Sequence, residues 1–149
     1  MTNHNFPESV AARANQEDPI IMYLIVRESL GMSIGKTAAQ CAHASQMLLL
    51  RFMMLDKIAN VLTEVKPDDS IKALQIFQVW LDSSFRKVVL RADDKQWDKI
   101  QKEIPWVDLV KVTDSGLTEL VPGTDTVIGI WPMHKSKCPK IIKRLQVLK

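Results

Sequence analysis

Lys36, Gln40 and His43 are the residues whose types and spacing best suit chemistry. On a helix turning about 100° per residue, these positions project within about 60° of one another, so an ammonium, an amide and an imidazole share one face. That face lies in the first turns of the helix, where free backbone N–H groups also favour anions. The competing reading is a solvated polar stripe over a packing face made of Ala38, Ala42 and Ser45, which project to the other side. Cys41 points about 160° away from His43 and can pair with it neither as a nucleophile with its base nor as a metal ligand.

The preceding run, Gly31-Met32-Ser33-Ile34-Gly35-Lys36-Thr37, has the look of a phosphate-binding loop between a strand and a helix. A nucleotide-binding P-loop needs four residues between its first glycine and the Gly-Lys pair, so that backbone N–H groups wrap a β-phosphate. Here there are three, and Asp114, the nearest candidate for a magnesium carboxylate, sits among threonines rather than after a strand of the expected kind. A nucleotide triphosphatase is therefore disfavoured. A second polar cluster fills 113–126, with Asp114, Gly116, Thr118, Gly123, Thr124 and Thr126. Its glycines and Pro122 suit a connecting turn, but strand-end loops are also where open α/β sheets carry their sites.

The elements that must position these groups follow from patterning. Residues 20–27 are aliphatic without alternation, as in a strand covered on both faces. A long helix should run from about Gly35 into the fifties, and 46–55 is apolar nearly all round, which suits contact with another subunit. A second helix is expected over 70–81, a strand over 85–91 and a helix opening at Asp93-Asp94 that buries Trp97, Ile100 and Ile104 before Pro105. Strands over 107–113 and 126–131 follow. In the tail, Lys137, Lys140 and Arg144 would form a basic helical stripe backed by Ile141, Ile142, Leu145 and Leu148. The implied fold is α/β, a single domain with a small four-stranded mixed β-sheet and helices on both faces, in the order β-α-α-β-α-β-β-α. One domain is expected over 19–149, with a flexible N-terminal arm over 1–18.

Composition narrows the class. A chain of 149 residues can bury about 68–70% of its unfolded surface without disulfide support. Cys41 and Cys138 match no zinc spacing and read as reduced thiols, with Cys41 in the core. The net charge of +3 is only mildly basic, yet 134–149 carries six Lys or Arg and no acid. No run is apolar enough for a membrane span, and neither a secretory nor a mitochondrial leader is evident, so a cytoplasmic protein without a membrane partner is expected.

Gly35-Lys36-Thr37-Ala38-Ala39-Gln40-Cys41-Ala42-His43-Ala44, together with Asp114, Gly116, Thr118, Pro122, Gly123, Thr124 and Thr126 at ordered spacing, resembles the type 2 peptidyl-tRNA hydrolase family of archaea and eukaryotes. The resemblance covers about 20–148. It departs at Ser33-Ile34, where the family usually has Gly-Lys, at Leu117 in place of arginine and at Glu119 in place of glutamine, changes that should weaken phosphate binding. It implies hydrolysis of the ester between a peptide and the terminal ribose of tRNA, a homodimer, and no cofactor or metal. Catalytic roles would fall to Lys36, Asp114, Thr118 and Thr126, and substrate contacts to Gly35, Gln40, His43, Gly116, Gly123, Thr124, Lys137, Lys140 and Arg144. A carboxylate partner favours the ammonium form of lysine, so Lys36 would stabilise charge or hold phosphate, and Asp114 would pair with it or orient water. Two alternatives are a non-catalytic RNA-binding or protein-interaction member of the fold, and a hydrolase of another small acyl ester.

Overall fold

The computed structural model describes residues 18–61 and 68–149. The expected arm over 1–18 lies, apart from Asp18, outside the described residues. The elements run β1 (Ile20–Arg27), α1 (Ile34–Val61), α2 (Asp68–Leu81), β2 (Lys87–Ala92), α3 (Asp94–Glu103), β3 (Leu109–Thr113), β4 (Asp125–Ile130), β5 (Met133–His134), α4 (Lys140–Lys143) and β6 (Gln146–Val147). The sheet has the order β3-β4-β1-β2-β6, with β5 also on β1. β1 and β2 are parallel, as the helical crossover between them requires, and the other pairs are antiparallel.

The side-chain alternation of β1 sorts the core into two layers. Ile21, Tyr23 and Ile25 face Trp97, Ile100, Ile141 and Ile142 of α3 and α4. Met22, Leu24 and Val26 face Cys41, Ala44 and Leu48 of α1 and Phe77 and Trp80 of α2. A strand buried on both sides needs no polar alternation, which is why the run reads as continuously aliphatic. α3 begins with a reciprocal cap: the Asp93 carboxylate accepts from the Gln96 N–H, and the Gln96 side chain accepts from the Asp93 N–H. On β4, a Cβ at Gly129 would lie 3.0–3.2 Å from Val110, Leu48 and Ala44. The missing side chain lets α1 settle close to the sheet, which brings its first turns to the strand ends.

The sheet has six strands rather than the four expected. The additional two are both two residues long. β5 continues the line of β4 after Pro132, which has no N–H to offer the ladder. β6 replaces the end of the expected basic helix: α4 is a four-residue turn, Lys137 lies in a separate 3₁₀ turn, and Arg144 caps α4. The 3.6-residue pattern of the tail is therefore interrupted. β2 has a free edge there, and pairing Leu90 and Arg91 with Val147 and Gln146, plus the Leu148 N–H on the Val89 carbonyl, satisfies backbone groups that a longer helix would leave open.

The packing face of α1 also differs from the small-residue face weighed from the sequence. Ala38 and Ala42 are exposed, whereas Gln40, Cys41, Ala44, Leu48 and Phe52 are buried. The buried stripe is rotated so that Gln40 lies inside it and Lys36 and His43 stand at its edge.

Candidate active site

Two loops at one end of the sheet build the site. The first leaves β1 through a 3₁₀ turn (Glu28–Leu30) closed by Gly31 in the left-handed region, φ 56°. Ser33 then caps α1: its hydroxyl accepts from the Lys36 N–H at 3.2 Å and its carbonyl from the Thr37 N–H at 2.9 Å. A capping box would place an acid three residues on, but that position is Lys36. Glu119 of the second loop supplies the missing half, accepting from the Ser33 N–H at 3.0 Å and from the Ser33 hydroxyl. The acid that seemed to oppose phosphate binding is thus a helix cap delivered from 86 residues away.

The second loop joins β3 to β4. Asp114 is held by its backbone, with its N–H on the Thr124 carbonyl and its carbonyl accepting the Gly123 N–H, both at 2.8 Å. Gly116 adopts φ 72°, and a Cβ there would sit 2.5 Å from Pro122. The turn therefore needs glycine at this point for both conformation and space. It returns the Gly116 N–H to Asp114 Oδ2 at 2.9 Å.

Where the loops meet, Lys36 Nζ donates to Asp114 Oδ1 at 2.5 Å and to Thr118 Oγ1 at 3.1 Å. Gln40 Nε2 donates to the same carboxylate oxygen at 3.3 Å, and the fully buried Thr126 hydroxyl donates to Gln40 Oε1 at 2.5 Å. A continuous chain thus runs from Thr126 through Gln40 and Asp114 to Lys36 and Thr118. The Lys36 and Asp114 side chains are 12% and 5% exposed, so the pair is largely withdrawn from water. It borders a cleft of about 470 Å³ lined also by Gln40, His43, Leu117, Thr118 and Glu119.

Of the residues singled out from sequence, Lys36, Asp114, Thr118, Gln40 and Thr126 come together, with His43 exposed on the cleft wall. Gly116, Gly123 and Thr124 hold the backbone of the Asp114 loop. Gly35 lies beside Lys36 with open space where a Cβ would be. Lys137, Lys140 and Arg144 are exposed and line no part of the cleft; Lys137 follows β5, which pairs with the opposite end of β1. The Ser33 and Glu119 pairing was missed. Its local signal is a serine cap lacking its own acid.

The hydrogen bond from Lys36 holds the Asp114 carboxyl below the ordinary aspartate range, with help from the Gly116 N–H and against the opposing effect of burial. The Ser33 hydroxyl and N–H do the same for Glu119. Groups with depressed folded-state values add stability above their unfolded values, about 3.9 for Asp and 4.3 for Glu, and lose it as pH falls through the lower folded values. Thermal denaturation should therefore show a stability loss below about pH 4 that is smaller in Glu119→Gln than in the parent chain. Equal acid sensitivity would mean the cap does not depend on the carboxylate's charge. Cys41 and Cys138 are both buried free thiols, and burial raises both above the usual thiol range.

A family model described as peptidyl-tRNA hydrolase PTH2 matches residues 20–148. The peptidyl-tRNA hydrolase of Thermoplasma acidophilum is 30% identical over 130 residues, covering 85% of this chain and 97% of that protein. That of Methanopyrus kandleri is 31% identical over 134 residues, with 85% and 96% covered. Peptidyl-tRNA hydrolase 2 of Saccharomyces cerevisiae is 30% identical over 129 residues, and the match takes in 57% of that longer protein. Because the family match spans the sheet from β1 to β6 together with both loops of the cleft, the chain belongs to the peptidyl-tRNA hydrolase PTH2 family.

Proposed function

We propose that this chain hydrolyses the ester of peptidyl-tRNA at the Lys36 and Asp114 cleft, releasing the peptide and free tRNA. The observation that carries the reading is the 2.5 Å contact between two charged groups 78 residues apart in sequence, at the mouth of a cleft and continued by Gln40 and Thr126. The reaction is acyl transfer to water, and its tetrahedral intermediate carries an oxyanion. The Lys36 ammonium, fixed by Asp114, stabilises that charge. Asp114 is poorly suited to activate water, since Oδ1 already receives Lys36 and Gln40 and Oδ2 receives Gly116. Its part is to hold Lys36, and the buried Thr126 acts one step further back through Gln40. Thr118, exposed beside Lys36, and His43 are the groups that can meet substrate or its attacking water. Incubation with N-acetylaminoacyl-tRNA tests the reading directly: release of free tRNA is expected, and tRNA binding without release would favour a non-catalytic role.

The domain extends over 19–149, and tRNA phosphates beyond the cleft meet exposed cations such as Lys137, Lys140 and Arg144. Neutralising those three would reduce the salt slope of binding by up to about 2.7 if all contact a duplex. The protein works in the cytoplasm as a homodimer. Support for the dimer is an exposed apolar stripe on α1, Met47, Leu50, Met54 and Ile58, beside exposed Trp106 and Val107. The Arg51 side chain ties the two regions together by donating to the Trp106, Val107 and Leu109 carbonyls. Light scattering should give twice the chain mass for the parent and the single mass for Leu50→Lys/Met54→Lys; a monomeric parent would refute the dimer. No helix among the described residues is long and apolar enough to cross a membrane.

A further inference from the structure

Residues 117–120 belong to no helix or strand. The loop on either side of them is held by its own backbone and by the Gly116 N–H on Asp114. Among the described residues, the hydrogen bonds that tie 117–120 to the rest of the fold are made by two side chains. Thr118 Oγ1 accepts from Lys36 Nζ at 3.1 Å, and the Glu119 carboxylate accepts from the Ser33 N–H at 3.0 Å and from the Ser33 hydroxyl. A surface stretch without backbone hydrogen bonds belongs to the low-stability end of a fold. Where the Thr118 hydroxyl stands is therefore decided by what its neighbour Glu119 holds.

Glu119 holds the residue on which Lys36 itself depends. The Ser33 hydroxyl accepts from the Lys36 N–H at 3.2 Å, and Lys36 Nζ reaches back to Thr118, the residue before Glu119. Ser33, Lys36, Thr118 and Glu119 thus close a ring whose fourth side is the peptide bond between Thr118 and Glu119. A single bond to an exposed threonine competes with water and adds little by itself. The carboxylate strengthens the ring because each of its oxygens takes a different Ser33 donor, Oε2 the N–H and Oε1 the hydroxyl, and both bonds are charge-assisted. An amide in the same place would have one acceptor oxygen for the two donors.

We infer that Glu119 is a positioning residue for hydrolysis: through Ser33 it holds Thr118 against Lys36, so that the Thr118 hydroxyl presents its proton to the cleft. The inference rests on the hydrolase reading above and adds to it a residue that acts through Thr118. The Thr118 oxygen already accepts from the ammonium, which leaves its O–H as a donor for the ester or the attacking water. With the loop tied to the start of α1 before substrate arrives, this donor needs no ordering at the moment of reaction.

The test measures kcat and KM on one N-acetylaminoacyl-tRNA for the parent chain, Thr118→Val, Glu119→Ala, Glu119→Gln and the double variant Thr118→Val/Glu119→Ala. Thr118→Val and Glu119→Ala should each lower kcat by roughly tenfold, within the loss of up to about 10²-fold that a misplacement of about 1 Å causes, with KM near the parent value. Glu119→Gln, which keeps one acceptor for Ser33, should fall between Glu119→Ala and the parent. In the Thr118→Val background, Glu119→Ala should cost nothing further, because no hydroxyl is left to position. A merely structural glutamate would slow both backgrounds by the same factor, and that result overturns the inference; so does a parent-like kcat in Glu119→Ala or in Thr118→Val. Each of these leaves the hydrolase reading intact. If Glu119→Ala does not fold, as judged by circular dichroism, Glu119→Gln in the two backgrounds makes the same comparison. Failure of the parent chain to release tRNA overturns the hydrolase reading and this inference with it.

Discussion

Lys36→Ala should lower the rate of peptidyl-tRNA hydrolysis by about 10²–10³-fold, the usual loss when one oxyanion-stabilising donor is removed. The loss should appear in kcat, because in the proposed mechanism the ammonium acts on charge that develops only in the transition state. The fold should survive, since the Asp114 carboxylate keeps its donors from Gln40 and Gly116 and the cap at Ser33 uses only the backbone N–H of residue 36. Far-ultraviolet circular dichroism and single-turnover assays of the variant check both parts. Parent-like turnover would remove Lys36 from the chemistry.

Gly116→Ala should damage stability and activity together. The substitution meets two obstacles at once: a φ of 72°, and a Cβ 2.5 Å from the Pro122 ring. Left-handed strain costs about 1–3 kcal/mol and overpacking about 1–3 kcal/mol more. In a domain of this size that amounts to a melting temperature lower by about 6–20 °C. The segment cannot shift without moving the Gly116 N–H from Asp114 and Thr118 from Lys36, so turnover should fall as well. Gly123→Ala is the internal comparison, because that glycine has φ 84° but nothing within 4 Å of an added Cβ. Its melting temperature should drop less, and equal drops would mean that contact with Pro122 is not what the turn depends on.

Much of the frame could be read from residue patterns because its causes are local. The aliphatic run of β1, the acids opening α3, Pro105 after its last turn and the long glycine-free stretch of α1 each act within a few residues. The pairing of Lys36 with Asp114 was legible only through the ordered resemblance of both loops, since no local rule links positions 78 apart. What stayed hidden depends on partners. The burial of Gln40 is decided by how α1 rests on β4 at Gly129, and the helical wheel gives angles without saying which of them meets the sheet. The tail has helical periodicity, yet the free edge of β2 captures Gln146 and Val147, so backbone pairing overrides the side-chain pattern. Glu119 looked like a charge set against phosphate, and its contacts with Ser33 make it a cap instead.

Lys36 and Asp114 are expected to work as one unit in hydrolysis, and a double-mutant cycle on single-turnover rates measures their coupling. Rates would be taken for the parent chain, Lys36→Ala, Asp114→Asn and the double variant with one N-acetylaminoacyl-tRNA. If Asp114 acts by holding Lys36, the double variant should be no slower than Lys36→Ala alone, because without the lysine nothing is left for the carboxylate to position. A double variant slowed by the product of the two single losses would show instead that the two residues act independently.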